Sequence, residues 1–351
     1  MESKLIKKNL DILVKIYKNL ADEQSEYIFK NRLLYSISNE ADYIQNIVKT
    51  TDYGKKFVEI LNSCENVYIF GAGIWGTEIT KIWGNQIKGI LDNDKNKQGM
   101  IINNVKIYTP DEVINENFNG KIIISTKKYN NDILEQLYKL GVKTDKIVNI
   151  ADWIKQAENE QYFSLDKLSH ASEEVFVDVG SLDGNTAVNF AKWSGNYKKI
   201  YCFEPDKENV KKCISNINKS GISNKTKLIT SGAWSFDGEL YIKADGNGLS
   251  YICSENNNVN YEKVVVGKLD TVLKNERVTF IKMDIEGAEF EALRGAEEII
   301  SVQRPKLAIS IYHKPEDIVE LINLIMSYND KYRFYLRHHS IVSWDTVLYA
   351  I

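Results

Sequence analysis

The sequence predicts an α/β chain of two Rossmann-like units preceded by a helical segment, the second unit closing in an antiparallel β hairpin. Three observations carry this. Short apolar runs of strand length alternate with stretches of helix length; two of those runs, ending at Phe70 and Val179, lead into glycine turns; and the last two β-rich runs have no helix after them. At 351 residues the chain is also too long for one ordinary core, so two domains are expected.

Composition narrows the class. Hydrophobic residues at 43% and charged residues at 26% are the mix of a globular protein, and four prolines leave little room for disordered linker. The 45 basic and 48 acidic residues are well mixed, with no basic patch to suggest a nucleic-acid partner. No apolar run approaches the length of a membrane span. The charged start, Met1 to Asn9, is not followed by the apolar stretch of a signal peptide, so a cytoplasmic protein is expected. Cys64, Cys202, Cys213 and Cys253 are scattered without the close pairs of zinc or redox motifs and suit buried, reduced thiols.

Residues 1–64 read as helical. Ile6, Leu10, Leu13, Tyr17 and Leu20 recur at alternating steps of four and three and form a stripe that needs a partner. Packing on the chain's own body is preferred; a homo-oligomer seam through the N-terminal helix is the alternative. Residues 65–150 form the first Rossmann-like domain. Its strand Val67 to Phe70 runs into Gly71-Ala72-Gly73-Ile74-Trp75-Gly76, and its strand Ile87 to Leu91 ends at Asp92; Val105 to Tyr108 and Ile122 to Ser125 follow. Residues 151–172 are a connector holding Trp153, Tyr162 and Phe163.

The second unit spans 173–351. Its strands are predicted at Val175 to Val179, Ile200 to Phe203, Lys227 to Thr230, Thr279 to Met283 and Lys306 to Ile311. Helices are predicted at Thr186 to Lys192, Lys207 to Asn218, Phe290 to Ile300 and Glu316 to Tyr328. Such alternation builds a mostly parallel sheet covered on both faces. Glu239 to Lys243 and Lys263 to Lys268 suggest an inserted strand pair around a flexible segment, Asp245 to Asn260, a candidate acceptor loop. Tyr332 to Leu336 and Thr346 to Ile351 form the closing hairpin.

The central motif is Asp178-Val179-Gly180-Ser181-Leu182-Asp183-Gly184-Asn185-Thr186. Glycines let backbone approach a ligand, and the following helix offers free N–H groups. A glycine loop alone is weak. Glu204 strengthens it, because a carboxylate at the end of the next strand can accept both hydroxyls of a ribose. As the unit is followed by no catalytic domain, S-adenosylmethionine is favoured over a nicotinamide cofactor, with Asp178 placed to attract the methionyl ammonium group. Gly180, Ser181, Asp183, Gly184 and Thr186 line the expected turn, and Pro205 follows the ribose carboxylate. Ser231 to Trp234 follow the third strand, where Ala233 and Trp234 would border adenine, although Trp234 also suits the core.

These residues resemble the FkbM-type methyltransferases, a branch of the class I S-adenosylmethionine-dependent enzymes. The matching pieces are Phe176-Val177-Asp178-Val179-Gly180, Phe203-Glu204-Pro205, Ile281-Lys282-Met283-Asp284-Ile285-Glu286-Gly287-Ala288-Glu289 and Asp345-Thr346-Val347-Leu348. The resemblance covers about half the chain, and its most specific part is the Asp-Ile-Glu-Gly-Ala-Glu stretch; Ser181 and Leu182 depart from the family's glycine-rich loop. It implies a class I methyltransferase sheet and O-methylation of a saccharide, glycan or natural-product hydroxyl.

A hydroxyl acceptor must lose a proton, so a base is expected beside the transferred methyl. Asp284 and His313 lie at strand ends on the ligand-binding rim and are the candidates, with Glu286 beside them; His313 is expected to titrate near neutrality. Asp284, Glu286 and His313 also offer ligands to a hard divalent cation, but their spacing matches no established signature and no metal is predicted. Glu289 is expected on a helix surface or cap, and His338 and His339 on the surface.

In the first unit, Gly71, Gly73, Trp75 and Gly76 fall in a G-x-G-x-x-G pattern after a strand, with Asp92 at the ribose distance. This is a second nucleotide site in outline, for a nucleotide or nucleotide-sugar, or else an architectural turn. Two other functions stay open at this point: a non-catalytic module that binds nucleotide or S-adenosylmethionine, and a nicotinamide-dependent oxidoreductase using this motif.

Overall fold

A computed structural model of the chain describes residues 2–170, 173–243, 251–253 and 261–351. In chain order, α1 (Glu2–Asn19), α2 (Glu23–Ser38), α3 (Ala41–Val48) and α4 (Asp52–Asn62) come first. A first α/β set follows: β1 (Val67–Phe70), α5 (Ile74–Trp83), β2 (Gly89–Leu91), β3 (Ile101–Ile102), β4 (Val105–Tyr108), α6 (Pro110–Val113), β5 (Lys121–Ile124), α7 (Asn130–Lys139) and β6 (Ile147–Asn149). After α8 (Ala151–Glu160) the second set begins with β7 (Glu174–Val179), α9 (Asn185–Ser194), β8 (Tyr197–Phe203), α10 (Lys207–Lys219) and β9 (Thr226–Ile229). It continues with β10 (Gly232–Ala233), β11 (Gly238–Lys243), β12 (Tyr251–Cys253), β13 (Tyr261–Gly267) and α11 (Leu269–Val272). It ends with β14 (Phe280–Met283), α12 (Glu289–Arg294), β15 (Lys306–Ser310), α13 (Asp317–Tyr328), β16 (Phe334–His338) and β17 (Thr346–Ala350). Among the described residues no helix is long and apolar enough to cross a membrane.

The chain divides into two compact units. The larger comprises Met1–Leu33, Asn159–Arg337 and Asp345–Ile351; the smaller comprises Leu34–Glu158 and His338–Trp344. The α/β class and the Rossmann-like units expected from the sequence are both present.

In the smaller unit the strands run in the order β3-β4-β2-β1-β5-β6, all neighbours parallel except β3 and β4. The central strands carry Ile69, Phe70, Ile90, Leu91, Ile122 and Ile124, all buried, which is the continuous apolar reading of strands covered on both faces. Residues 338–344 complete this unit's core. Trp83, 1% exposed, donates its indole N–H to the Ile341 carbonyl at 2.8 Å, and the Trp75 ring meets Trp344 edge-on at 5.4 Å. His338 and His339 are consequently buried, correcting the surface position expected for them: the loop that carries them is core to this unit.

The larger unit holds a seven-stranded sheet in the order β16-β17-β15-β14-β7-β8-β9. β15, β14, β7, β8 and β9 are parallel, and β17 returns antiparallel to β15, so the hairpin ending is as expected. One face packs on an aromatic cluster in which Phe176 and Phe190 stack at 4.2 Å and Phe163 meets Phe280 edge-on at 6.0 Å. The inserted strands form a small sheet, β10-β13-β11-β12. Of the segment Asp245 to Asn260, all but Tyr251–Cys253 lies outside the described residues, as do 171 and 172 of the connector.

Two sequence expectations are corrected here. The N-terminal stripe is shifted: Ile16 and Leu20 are buried and Leu13 half-buried, while Leu10 is 55% exposed; the side chain of Ile6 lies outside the described residues. Ile12, Leu13 and Ile16 offer a second apolar line next to the first, and contact of α1 with α13 selects it. The helix expected over Phe290 to Ile300 breaks after Arg294 and resumes as a wide turn over Ile299–Gln303. At the break, a Cβ on Gly295 would collide with the carbonyl of Trp234, so the chain needs glycine there.

The first 33 residues close the β16 edge. Ala21 N–H donates to Phe334 O at 2.8 Å, Ser25 Oγ accepts from Leu336 N–H at 2.9 Å, and Asp22 pairs with Arg337 at 2.7 Å. An open strand edge is a template for unwanted pairing, and this segment covers it.

Replacing Trp83 by Phe keeps the ring and deletes the donor to Ile341. The unfolding free energy is expected to fall by about 1–3 kcal/mol, the cost of a stranded buried acceptor. A urea titration unchanged from wild type would show that this bond contributes nothing.

Candidate functional site

The site lies on the rim formed by the C-terminal ends of β7, β8, β14 and β15. β7 leads into Gly180, which has φ +79°. A Cβ there would overlap the Asp284 carbonyl, so the turn packs directly on the end of β14. Leu182 at φ +53° and Gly184 at φ +79° bring the chain round to α9, where Asp183 Oδ1 accepts from Asn185 N–H at 3.0 Å. Ser181 is buried and donates to the Asp178 carbonyl at 3.0 Å, whereas Thr186 is half-buried at the start of α9.

Glu204 stands at the end of β8 beside this turn. Its Oε2 accepts from Leu182 N–H at 2.8 Å and its Oε1 from Asp206 N–H at 3.0 Å, and the Asn209 side chain is a further donor to the carboxylate. Burial pushes its pKa up to about 7 against those donors. Pro205 follows, half-buried, and Asp206 caps α10 through Glu208 and Asn209 N–H. Ala233 and Trp234 belong to the small sheet: Ala233 pairs with Gly267, and Trp234 N–H donates to Gly267 O at 3.0 Å.

Asp178, expected beside the methionyl ammonium group, is buried next to a lysine. Its side chain is 0% exposed and faces Lys282 Nζ at 3.1 Å, its register partner on β14. The same ammonium donates to Gly180 O at 2.7 Å and reaches Val179 O at 3.4 Å. Burial opposes the charge on Lys282, but the Asp178 and Asp284 carboxylates hold its pKa above the ordinary value. Asp178 thus has an internal counter-cation in Lys282.

Asp284 ends β14 and is surrounded by donors. Tyr162 O–H donates to its Oδ2 at 2.7 Å, Tyr312 O–H reaches its Oδ1 at 3.4 Å, and His313 Nε2 lies 3.3 Å from Oδ1. His313 Nδ1 lies 2.9 Å from Glu289 Oε1, and Nε2 is 3.8 Å from Glu286 Oε2. Burial would lower the histidine's pKa, yet Glu289, Asp284 and Glu286 hold it at about 10. A raised histidine pKa means the imidazolium persists from acid through neutral pH, so His313 is a cation here and not the neutral base expected for it. Glu289 is 0% exposed and accepts from Ile285 N–H at 2.8 Å, which corrects its expected place on a helix surface. Ligand atoms of Asp284, Glu286 and His313 lie within 4.8 Å of one another, as do those of Glu289, His313 and Asp317. The imidazolium already supplies these carboxylates with a counter-charge.

Several contributors were not singled out from the sequence. Tyr162 lies 122 positions from Asp284 and carries no local signal. Arg32, 4% exposed, donates to the Tyr312 carbonyl at 3.2 Å from a helix assigned no part in the site. Asp345, at φ +60°, accepts from Gln161 at 3.3 Å. Lys282 did have a signal: it is a charge in the otherwise apolar run Phe280-Ile281-Lys282-Met283.

Comparison with known proteins follows the same lines. Residues 178–338 match the family model of the methyltransferase FkbM domain. The C-terminal domain is an FkbM-type methyltransferase. The chain is similar to the crystal structure of an FkbM methyltransferase from Methylobacillus flagellatus KT, with 18% identity and a TM-score of 0.52, over 92% of this chain and 99% of that one. An rRNA methylase from Streptococcus thermophilus aligns at 19% identity and TM-score 0.35 over 57% of this chain and 90% of its own. Fibrillarin from Aeropyrum pernix, solved with natively bound S-adenosylmethionine, aligns at 11% identity and TM-score 0.37 over 57% and 76%. No curated protein matches the chain. The FkbM domain is thus an S-adenosylmethionine-dependent methyltransferase.

Residues 63–148, outside the FkbM domain, match a family model described as C2185-like, N-terminal. Here the glycine turn is built from Gly71 at φ +115° and from Gly76, where a Cβ would strike the Gly71 carbonyl. Gly73 faces open space. Asp92 Oδ2 accepts from Ala72 N–H at 2.6 Å and Oδ1 from Asp94 N–H at 2.8 Å, while Lys97 donates to Ala72 O at 3.2 Å. Trp75 is turned to Trp344, a core contact of its own unit.

Gly180→Ala in the FkbM domain adds a Cβ against Asp284 O at a positive φ. The expected loss of stability is about 2–4 kcal/mol, seen as a lower denaturation midpoint. A midpoint equal to wild type would mean that the turn is free to move off β14.

Proposed function

We propose that the FkbM domain O-methylates a hydroxyl on a saccharide, glycan or related natural-product intermediate, with Asp284 accepting the hydroxyl proton. The observation that carries this reading is the setting of Asp284: a carboxylate ringed by two phenol donors and an imidazolium, on the same rim as the glycine turn and in backbone contact with it. A proton acceptor and a nucleoside-type turn side by side suit an in-line displacement, in which alignment does most of the work.

The residues fit S-adenosylmethionine. Bound, it supplies an electrophilic methyl group on a sulfonium. Three donors leave the Glu204 carboxylate part of its acceptor capacity for a ribose hydroxyl, and the buried, under-solvated group gains from that donor. Gly180 to Gly184 lend backbone to the amino-acid and ribose portions. Tyr162 aims at Oδ2 of Asp284, and Tyr312 and His313 lie 3.4 Å and 3.3 Å from Oδ1, the oxygen with the longer contacts and the one read here as taking the acceptor's proton. His313, charged, holds Glu286 and Glu289 beside it and does not take the proton. Glu286 and Asp345 add acceptor groups suited to a polyhydroxyl ligand.

In the same reading the smaller unit holds a nucleotide or nucleotide-sugar at Gly71, Gly73, Gly76 and Asp92, where the start of α5 faces open space at Gly73. Leu10 and Val14, 55% and 51% exposed on α1, are the apolar residues through which copies of the chain would associate. Cys64, Cys202 and Cys213 are free thiols, which suits the cytoplasm.

Asp284→Asn is expected to reduce S-adenosylhomocysteine formation from S-adenosylmethionine, on a panel of glycosides and nucleotide-sugars, by about 100-fold or more. S-adenosylhomocysteine affinity should stay within about threefold of wild type. Turnover that survives the change would remove Asp284 from the chemistry.

Glu204 gives a pH dependence with a definite sign. Ribose hydroxyls donate to the carboxylate, so ligand prefers the ionised form, and protonation below about pH 7 competes with binding. S-adenosylhomocysteine affinity is expected to fall by up to about tenfold per pH unit on acidification below that point. Glu204→Gln should weaken binding and flatten the profile; an unchanged slope in this variant would place the titration elsewhere.

A further inference from the structure

Lys282 is a buried charged group at the site to which the proposed chemistry gives no part. It stands in β14 with Phe280, Ile281 and Met283, all 0% exposed, and its own side chain is 3% exposed. A lysine is costly to desolvate in such a strand, and an apolar residue would serve the sheet as well. Three oxygens surround its ammonium: Asp178 Oδ1 at 3.1 Å as an ion pair, and Gly180 O at 2.7 Å and Val179 O at 3.4 Å as hydrogen-bond acceptors. Two of these lie at the point where β7 becomes the glycine turn. The hydrogen bonds of the ammonium go to the backbone carbonyls of the turn, so its influence on a ligand passes through the backbone it holds.

The direction of that influence follows from the rim. Glu204 binds the turn at Leu182, on the β8 side, where the ribose is placed. Gly180 lies on the opposite side, against the backbone of Asp284, where the methyl group must meet its acceptor. The Gly180 side of the turn therefore serves the methionyl end of the cofactor. Lys282 also lies 5.2 Å over the Tyr162 ring, whose hydroxyl holds Asp284, so it touches both halves of the site.

We infer that Lys282 is a positioning residue for the methionyl end of the cofactor, fixing the Gly180 carbonyl and the Asp178 carboxylate from a single ammonium group. The inference rests on the cofactor placement proposed above. Calorimetry with two probes separates the roles: S-adenosylhomocysteine, which has the amino-acid end, and 5′-methylthioadenosine, which lacks it. The proteins are wild type, Lys282→Met and the double variant Asp178→Asn/Lys282→Met. The double variant removes both buried charges together and keeps the test open if the single change, which strands Asp178, prevents folding. S-adenosylhomocysteine affinity is expected to fall by about tenfold or more in the folded variants, while 5′-methylthioadenosine affinity stays within about threefold of wild type. Equal losses for both probes, or wild-type affinity for S-adenosylhomocysteine in the double variant, would overturn the inference alone. Wild-type protein that binds neither probe would overturn the cofactor placement and the inference with it.

Discussion

The contact of Gly180 with the backbone of Asp284 organises this molecule. Two neighbouring parallel strands, β7 and β14, end at the same level, and a residue without Cβ lets the first turn rest on the last peptide of the second. The glycine turn beside Glu204 and the carboxylate of Asp284 are thereby set at a fixed separation. In a displacement reaction, where small misplacements cost orders of magnitude in rate, a rigid separation of this kind is the main thing the protein can contribute.

Charge compensation follows from the same packing. Bringing strand ends together gathers Asp178, Asp284, Glu286 and Glu289 in a small, largely buried volume, which would be strongly unfavourable without cations. Two are supplied from within. Lys282 lies between Asp178 and Asp284, and the His313 imidazolium lies among Asp284, Glu286 and Glu289. Asp284 thus stays in balance between two internal positive groups while remaining half-buried, reachable from the rim. Within the chain, the acids that the sequence offered as ligands to a hard cation lie beside two cationic side chains, Lys282 and His313.

The central strands of the two larger sheets were legible because parallel strands buried on both faces leave continuous apolar runs, whereas the short edge strands β3 and β6, only partly buried or exposed, were not; Gly180, Gly184 and Glu204 stood out because a turn of this type needs those residue kinds at strand ends. What was not legible depended on distance or on direction. Tyr162 meets Asp284 only after the chain between them has folded. Glu289 sits at the first position of α12, where periodicity does not say whether the side chain turns in or out; its inward turn is what keeps His313 protonated. Gly295 breaks an apolar pattern that otherwise continues as helix. Lys282 was visible as an anomaly, a charge in a core strand, and anomalies of that kind mark where local preference has been overruled by function or by another charge.

The helical extension shows how far the site's support reaches. The link between α1 and α2 and the first turn of α2 cover the exposed edge of β16, and α2 goes on to deliver Arg32 to the carbonyl of Tyr312. Tyr312 and His313 sit in the loop after β15, the part of the rim with the least regular backbone, and both face Asp284. A loop holding a buried imidazolium and a buried phenol needs its own backbone fixed, since half-satisfied polar networks are worse than none. Arg32 contributes that restraint from a segment that would otherwise be read as an appendage, so the first 33 residues are structurally part of the methyl-transfer unit.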